Sequence, residues 1–204
     1  MGCEYVGEEK IMNHKIVILC GKSGSGKSLI LNKLVKNGFK RVVTNTTRPP
    51  REGEKDGIAY NFMDDTQFLS LVKNGDMIEY QKYNTEFGTW YYGSDARHID
   101  LNKHDYVIVL TLDGAEAFMK YFGDENCIVF YIDAPKSVRE KRAEERDPIG
   151  FKKDEWDRRV KTDNADFSYD KVCRICDFRV DNYNKPIYNL IKEIKDDIEL
   201  WKNG

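Results

Sequence analysis

The 204-residue sequence has no excess of either charge: 33 Lys and Arg face 35 Asp and Glu, for a formal net charge of −2. This removes any global attraction to nucleic acid or to an anionic membrane, so a basic site has to be local. No apolar run approaches the roughly 18 residues of a membrane-crossing helix, and no secretory signal, internal repeat or low-complexity linker is visible. The cysteines are odd in number (Cys3, Cys20, Cys127, Cys173 and Cys176), and Cys20 and Cys127 lie in apolar runs. Reduced thiols in a cytoplasm are the expectation. Cys173 and Cys176 form one C-x-x-C, but His14, His98 and His104 have no spacing that completes a zinc site. "MGCEYV" carries Val6 where a myristoylation signal needs Ser or Thr. The first eleven residues are polar and unpatterned, and Met12 is a candidate alternative start. At 40% hydrophobic and 33% charged residues, the chain suits one large globular domain or a domain with inserted lobes.

The most informative short stretch is "GKSGSGKS", residues 21–28, which fits G-x-x-x-x-G-K-[ST] through Gly21, Gly26, Lys27 and Ser28. Backbone amides of such a loop cradle phosphates, the lysine reaches the outer phosphates and the serine hydroxyl binds Mg²⁺. The context fits: "HKIVILC" (14–20) reads as a buried parallel strand, and "KSLILNKLVKNG" (27–38) as a helix stopped at Gly38. Further strands are predicted over 39–44, 105–113, 127–133 and 177–181, and helices over 114–123, 137–146 and 186–202. The last carries Ile187, Leu190, Ile191, Ile194, Ile198 and Trp201 on one docking stripe. This alternation implies a parallel sheet with helices on both faces. Residues 45–97 break the rhythm, with short strands and one short helix over 64–74, as an inserted lobe would.

Within that lobe, Arg48 and Arg51 flank Pro49-Pro50, which stiffens the chain. Two fixed guanidiniums can clamp a phosphate bidentately. A surface turn with solvated arginines is the simpler alternative for such a pair. Neighbouring motifs weigh against it. "TTRPPREGEKDGIAYNF" (46–62) resembles the TTR-x-PR-x-GE-x-x-G-x-x-Y-x-F signature of guanylate kinases. "NGDMIEYQKY" (74–83), "WYYGS" (90–94), "SVREKRAEER" (137–146) and "DFRVDN" (177–182) resemble its later segments, so the similarity covers about residues 15–200. The resemblance implies an α/β P-loop NTPase fold: three αβα layers with a central parallel sheet, an inserted mixed α/β monophosphate-binding lobe and a helical lid. Its parts would be a core at about 12–44, 98–136 and 170–204, an acceptor-binding lobe at 45–97 and a lid at 137–169. It implies ATP-dependent transfer to GMP or dGMP with Mg²⁺, in a cytoplasmic enzyme without nucleic-acid or membrane partners; monomer and homodimer are equally open.

Position by position, the resemblance assigns the donor to Gly21, Lys22, Ser23, Gly24, Ser25, Gly26, Lys27, Ser28 and Leu29, with Asn182 near the adenine and Ser28 on the metal. Arg48, Arg51, Tyr60 and Tyr92 would hold the acceptor phosphate. Glu79 would accept from guanine N1–H and the 2-amino group, with Thr44 and Ser94 helping on the base. An ionised carboxylate only accepts and guanine offers two adjacent donors, whereas adenine N1 presents a lone pair. Lys27, Arg48, Arg142, Arg146 and Arg159 would carry catalysis by charge neutralisation and positioning. Either Arg158 or Arg159 supplies the last guanidinium, and the resemblance points to Arg159. Ser137 and Glu140 have capping-box spacing at the start of the lid helix, and Arg139 shares a broad face with Arg142 and Arg146. His98 and His104 read as surface residues, and no general base is required.

The chain also departs from the family. Lys22 replaces the usual proline, and Val109 and Thr111 replace the two aspartates of D-x-D, with Asp113 displaced but able to substitute in part. The loop "NTEFGTW" (84–90) looks longer than usual, and "RDPIGFKKDEW" (146–156) is atypical. These departures keep two alternatives open: a kinase of another nucleoside monophosphate or phosphorylated sugar, and a non-catalytic guanylate-kinase-like binding module.

Overall fold

The computed structural model describes residues 14–51, 53–85 and 88–203. Met12, Cys3, the N-terminal leader and two residues of the 84–90 loop lie outside them. In chain order the elements are β1 (Ile16–Cys20), α1 (Lys27–Lys36), β2 (Lys40–Arg41), β3 (Asn45–Thr46), β4 (Asn61–Phe62), α2 (Asp65–Asn74), β5 (Met77–Thr85), β6 (Gly88–Asp95), β7 (Tyr106–Val109), α3 (Leu112–Phe122), β8 (Cys127–Asp133), α4 (Lys136–Arg146), α5 (Lys153–Asp166), α6 (Tyr169–Ile175), β9 (Phe178–Asp181) and α7 (Ile187–Asn203).

A five-stranded parallel sheet runs β2-β7-β1-β8-β9. Side chains alternate across a strand, and β1 shows it. Ile16, Ile18 and Cys20 face α3 and α6 through Leu112, Ala115, Phe118 and Ile175. Val17 and Leu19 face α1 and α7 through Ile30, Leu34, Leu190 and Ile194. With both faces covered, the central strands read as continuous apolar runs.

A second sheet, ordered β4-β3-β6-β5, is built on the β5–β6 hairpin. One face of it packs on α2, with Phe68 fully buried and stacked on Tyr91 at 5.4 Å. A register shift between Met77 and Glu79 sets Glu79 opposite Ser94 and Gln81 opposite Tyr92, on the other face. At the junction of the two sheets Asn45 is wholly buried, donating to Asp95 Oδ2 at 2.7 Å and accepting from Asn61 at 3.0 Å.

Three expectations differ locally. The strand predicted over 105–113 ends at Val109, because the Thr111 hydroxyl accepts from the Gly114 N–H at 3.1 Å and starts α3 at Leu112. The strand over 39–44 narrows to Lys40–Arg41, since the chain turns into the second sheet at Asn45. The capping box at Ser137 and Glu140 does not form: Pro135 stands at the N-cap without a side-chain bond, and Glu140 pairs with Lys153 of α5.

Candidate active site

The loop from β1 to α1 is shaped by glycine. Gly26 sits at φ 96° as the N-cap of α1, without a side-chain cap bond and with no acidic residue in the helix's first turn. A helix start of that kind favours an anion. A Cβ on Gly26 would lie 2.3 Å from Asn182 Nδ2, and one on Gly21 2.3 Å from the Ile132 carbonyl oxygen. The close approach thus requires glycine at both positions.

Within the loop Lys27 Nζ donates to the Gly21 and Lys22 carbonyls at 2.6 and 3.1 Å. Burial brings its pKa down to about 8, opposed by the nearby Asp163 and Cys20. The Ser25 hydroxyl is wholly buried without a partner, a cost that a polar ligand in the loop can relieve. Asn182, at the end of β9, donates to Ser25 O at 2.7 Å, and its own carbonyl accepts from Arg142 at 2.7 Å. The loop, Asn182 and Arg142 therefore form one unit, with Leu29 half-exposed beside it.

Two residues after β3, Arg48 is buried and held from several sides. It forks onto Glu54 with two contacts of 2.9 Å, donates to Pro49 O at 2.7 Å, and lies over the rings of Tyr60 and Phe62. Burial works against its charge, but Glu54 and Tyr92 more than offset this and raise its pKa. Arg51 is exposed, its N–H donating to Glu54 Oε2 at 2.8 Å. Tyr92 packs edge-on between Tyr60 at 5.9 Å and Tyr83 at 5.6 Å. Further along the same face, the fully buried Ser94 donates to Glu79 Oε1 at 2.7 Å. Burial pushes the Glu79 carboxyl up, with Ser94 opposing.

A cleft of about 360 Å³ is lined by Ser28 from the loop side, by Thr44, Glu54 and Tyr60 from the inserted segment, and by Ile108 and Val109; Lys27, Arg48, Glu79, Tyr92 and Ser94 are not among its lining residues. Among the described residues no group of three His, Cys, Asp or Glu could hold a metal ion. Ser28 is exposed at the cleft, which suits a Mg²⁺ that arrives on substrate phosphates and keeps its waters. Asp113 does not replace the missing aspartates: it pairs with Lys171 of α6 and is not among the cleft's lining residues. Arg146 is exposed and pairs with no described acid. Arg159 is exposed and turned to Glu155 at 2.8 Å, which Arg158 also holds. Burden from these two guanidiniums, Arg158 first, brings Glu155 down to about 2.

Glu54 and Asp163 are absent from the residues read from the sequence, and Arg139 is read there only as part of the lid face. Glu54 is in the quoted motif, six residues after Arg48, and that spacing is the signal for it. Arg139 is buried and donates to Ser23 O at 3.0 Å. Asp163 accepts from the Ser23 N–H at 2.8 Å across 140 residues, a separation for which no local pattern gives notice.

Comparison with known proteins bears on both halves. The family model described as guanylate kinase matches residues 13–169. The chain is 35% identical over 133 residues to a guanylate kinase of Anaplasma phagocytophilum, covering 62% of this chain and 60% of the relative. It is 31% identical over 137 residues to one of Chlorobium luteolum, covering 65% and 68%. The matched stretch thus spans three fifths to about two thirds of these relatives' own length. In fold, it is similar to the crystal structure of guanylate kinase from Anaplasma phagocytophilum, with a TM-score of 0.66 at 24% identity over 93% of this chain and 86% of that one.

Proposed function

The chain belongs to the guanylate kinase family, and on that premise we propose that it transfers the terminal phosphoryl group of ATP to GMP or dGMP, giving ADP and GDP or dGDP. The observation that carries this reading is a cleft lined jointly by Ser28 of the phosphate loop and by Thr44, which precedes β3, and Tyr60, which precedes β4. We assign the core to about 12–44, 98–136 and 170–204, the acceptor lobe to 45–97 and the lid to 137–169.

In this reading the loop amides and Lys27 take the donor's outer phosphates, the lysine exchanging two carbonyl acceptors for phosphate oxygens. Ser28 would hold Mg²⁺, which supplies charge neutralisation between the phosphates. Asn182 and Arg142 keep the loop's adenine side in place. Arg48, already fixed by Glu54 and two rings, presents its remaining donors with Arg51, Tyr60 and Tyr92 to the acceptor phosphate. Glu79, ionised and braced by Ser94, takes the two guanine donors. Arg146 and Arg159 are the guanidiniums left to close on the transferring group. The acceptor oxygen is already anionic, so no base is assigned. We read the enzyme as cytoplasmic, in keeping with four free thiols and with no membrane-crossing helix among the described residues.

Val109 in the cleft wall favours one second reading, a different phosphorylated acceptor on the same scaffold. A coupled assay of ADP formation against GMP, dGMP, AMP, CMP and UMP separates the two. GMP or dGMP is expected to lead by at least about 10² in kcat/KM; equal turnover of AMP would sink the guanine assignment.

A further inference from the structure

Ser23, the third residue of the phosphate loop, has its N–H, hydroxyl and carbonyl all engaged by α4 and α5. The N–H donates to Asp163 Oδ2 at 2.8 Å and the hydroxyl to Oδ1 at 3.2 Å. The carbonyl accepts from Arg139 Nη1 at 3.0 Å. Arg139 also donates to Ala134 O at 3.1 Å, lies 3.6 Å from Asp163, and sits over the Trp156 ring. Both charged residues are buried, at 4% and 9% exposure. Beside them Lys22, the loop position that departs from the family, donates to Asn164 Oδ1 at 2.7 Å. A buried carboxylate persists where donors compensate its desolvation, and charge-assisted bonds to a backbone amide are among the stronger ones.

We propose that Asp163 is a positioning residue for the transfer described above: a latch that docks α5 on Ser23 and so fixes Arg159, one helical turn earlier, relative to the donor loop. The inference rests on that reading of the cleft. Arg159 and Asp163 are four residues apart, neighbours along one side of the helix. With α5 docked, Arg159 needs only to leave Glu155 to engage a phosphate; without the latch α5 keeps its packing on α4 through Trp156, Val160 and the Lys153–Glu140 pair but loses its fixed place against the loop, which has to be set first. That ordering cost is what a pre-positioned element removes from the barrier.

The test compares wild type with Asp163→Asn and Asp163→Ala in two measurements: amide hydrogen exchange of residues 21–26 and 153–166 without nucleotide, and steady-state ADP formation. Asparagine retains an acceptor for the Ser23 N–H but not the charge facing Arg139, so it covers the case of an alanine variant that fails to fold. Expected is faster exchange in both segments, more for alanine than for asparagine. kcat should fall for alanine by on the order of 10- to 100-fold, less for asparagine, with KM for ATP little changed. Unchanged exchange overturns the proposal. So does a lower KM for ATP with undiminished kcat, which would make the carboxylate a competitor of phosphate. A wild-type protein without transfer activity would overturn the reaction and the positioning role with it, and the exchange data would then report separately whether Asp163 docks the helix.

Discussion

The phosphate loop presents its backbone to the cleft region, and the β5–β6 face presents side chains. In the loop, Gly21 and Gly26 permit close approaches in which a Cβ would lie 2.3 Å from a neighbouring atom, and neighbouring elements grip Ser23 and Ser25 by their main-chain atoms. On the hairpin, the proposed recognition would rest on Glu79, Ser94 and Tyr92, placed by strand register and a bulge. A backbone site is general for phosphate and indifferent to what the donor reacts with. A side-chain site can discriminate, and it can change without disturbing the fold. The departures at Val109 and Thr111 fit this division, since β7 and α3 are intact around them.

Substitutions should separate the two halves. The largest effect is expected from Lys27→Ala, which removes the cation at the donor phosphates: kcat/KM for ATP should fall by roughly 10³ with every acceptor alike. A loss confined to GMP would place Lys27 on the wrong side of the cleft. Arg48→Lys gives up the fork onto Glu54, at about 1.5–3 kcal/mol or roughly 10- to 100-fold in kcat/KM for GMP; ATP affinity in a binding titration should be unmoved.

Acid sharpens the contrast without mutation. Burial raises the Glu79 pKa above its ordinary value. As pH falls through that raised value the carboxyl takes up a proton, and an acceptor for guanine becomes a donor. KM for GMP should therefore rise at a pH where an ordinary carboxylate is still ionised, while KM for ATP stays level. The smallest effect is reserved for Thr111→Val. It removes a helix cap worth about 1 kcal/mol, or about 2–4 °C in Tm for a chain of this size, and kcat with GMP should not change. A large loss of kcat would return Thr111 to the reaction site.

The shape of the loop over 21–28 was legible in the sequence because its motif specifies backbone geometry, and backbone geometry depends on glycine at fixed spacing. The continuous apolar run of Ile16–Cys20 and the stripe on α7 likewise state their own packing. What stayed hidden depends on which of several possible partners each side chain takes in the folded chain. Thr111 extends an apolar run and reads as strand until its hydroxyl is seen to cap α3. Glu140 has the spacing of a capping box but finds Lys153. Glu54 is one acid among several until Arg48 is seen to be buried against it. Asp163 looks like a solvated helix residue, and only the folded chain brings it to Ser23.

The division of labour between the two halves is tested most directly by Glu79→Gln, through kcat/KM for GMP and for AMP alongside the dissociation constant for ATP. Glutamine still accepts from one guanine donor but turns an NH₂ toward the other. kcat/KM for GMP should fall by about 10², with no such fall for AMP and with ATP binding as in wild type. An equal loss of ATP affinity, or GMP turnover at the wild-type rate, would contradict that division.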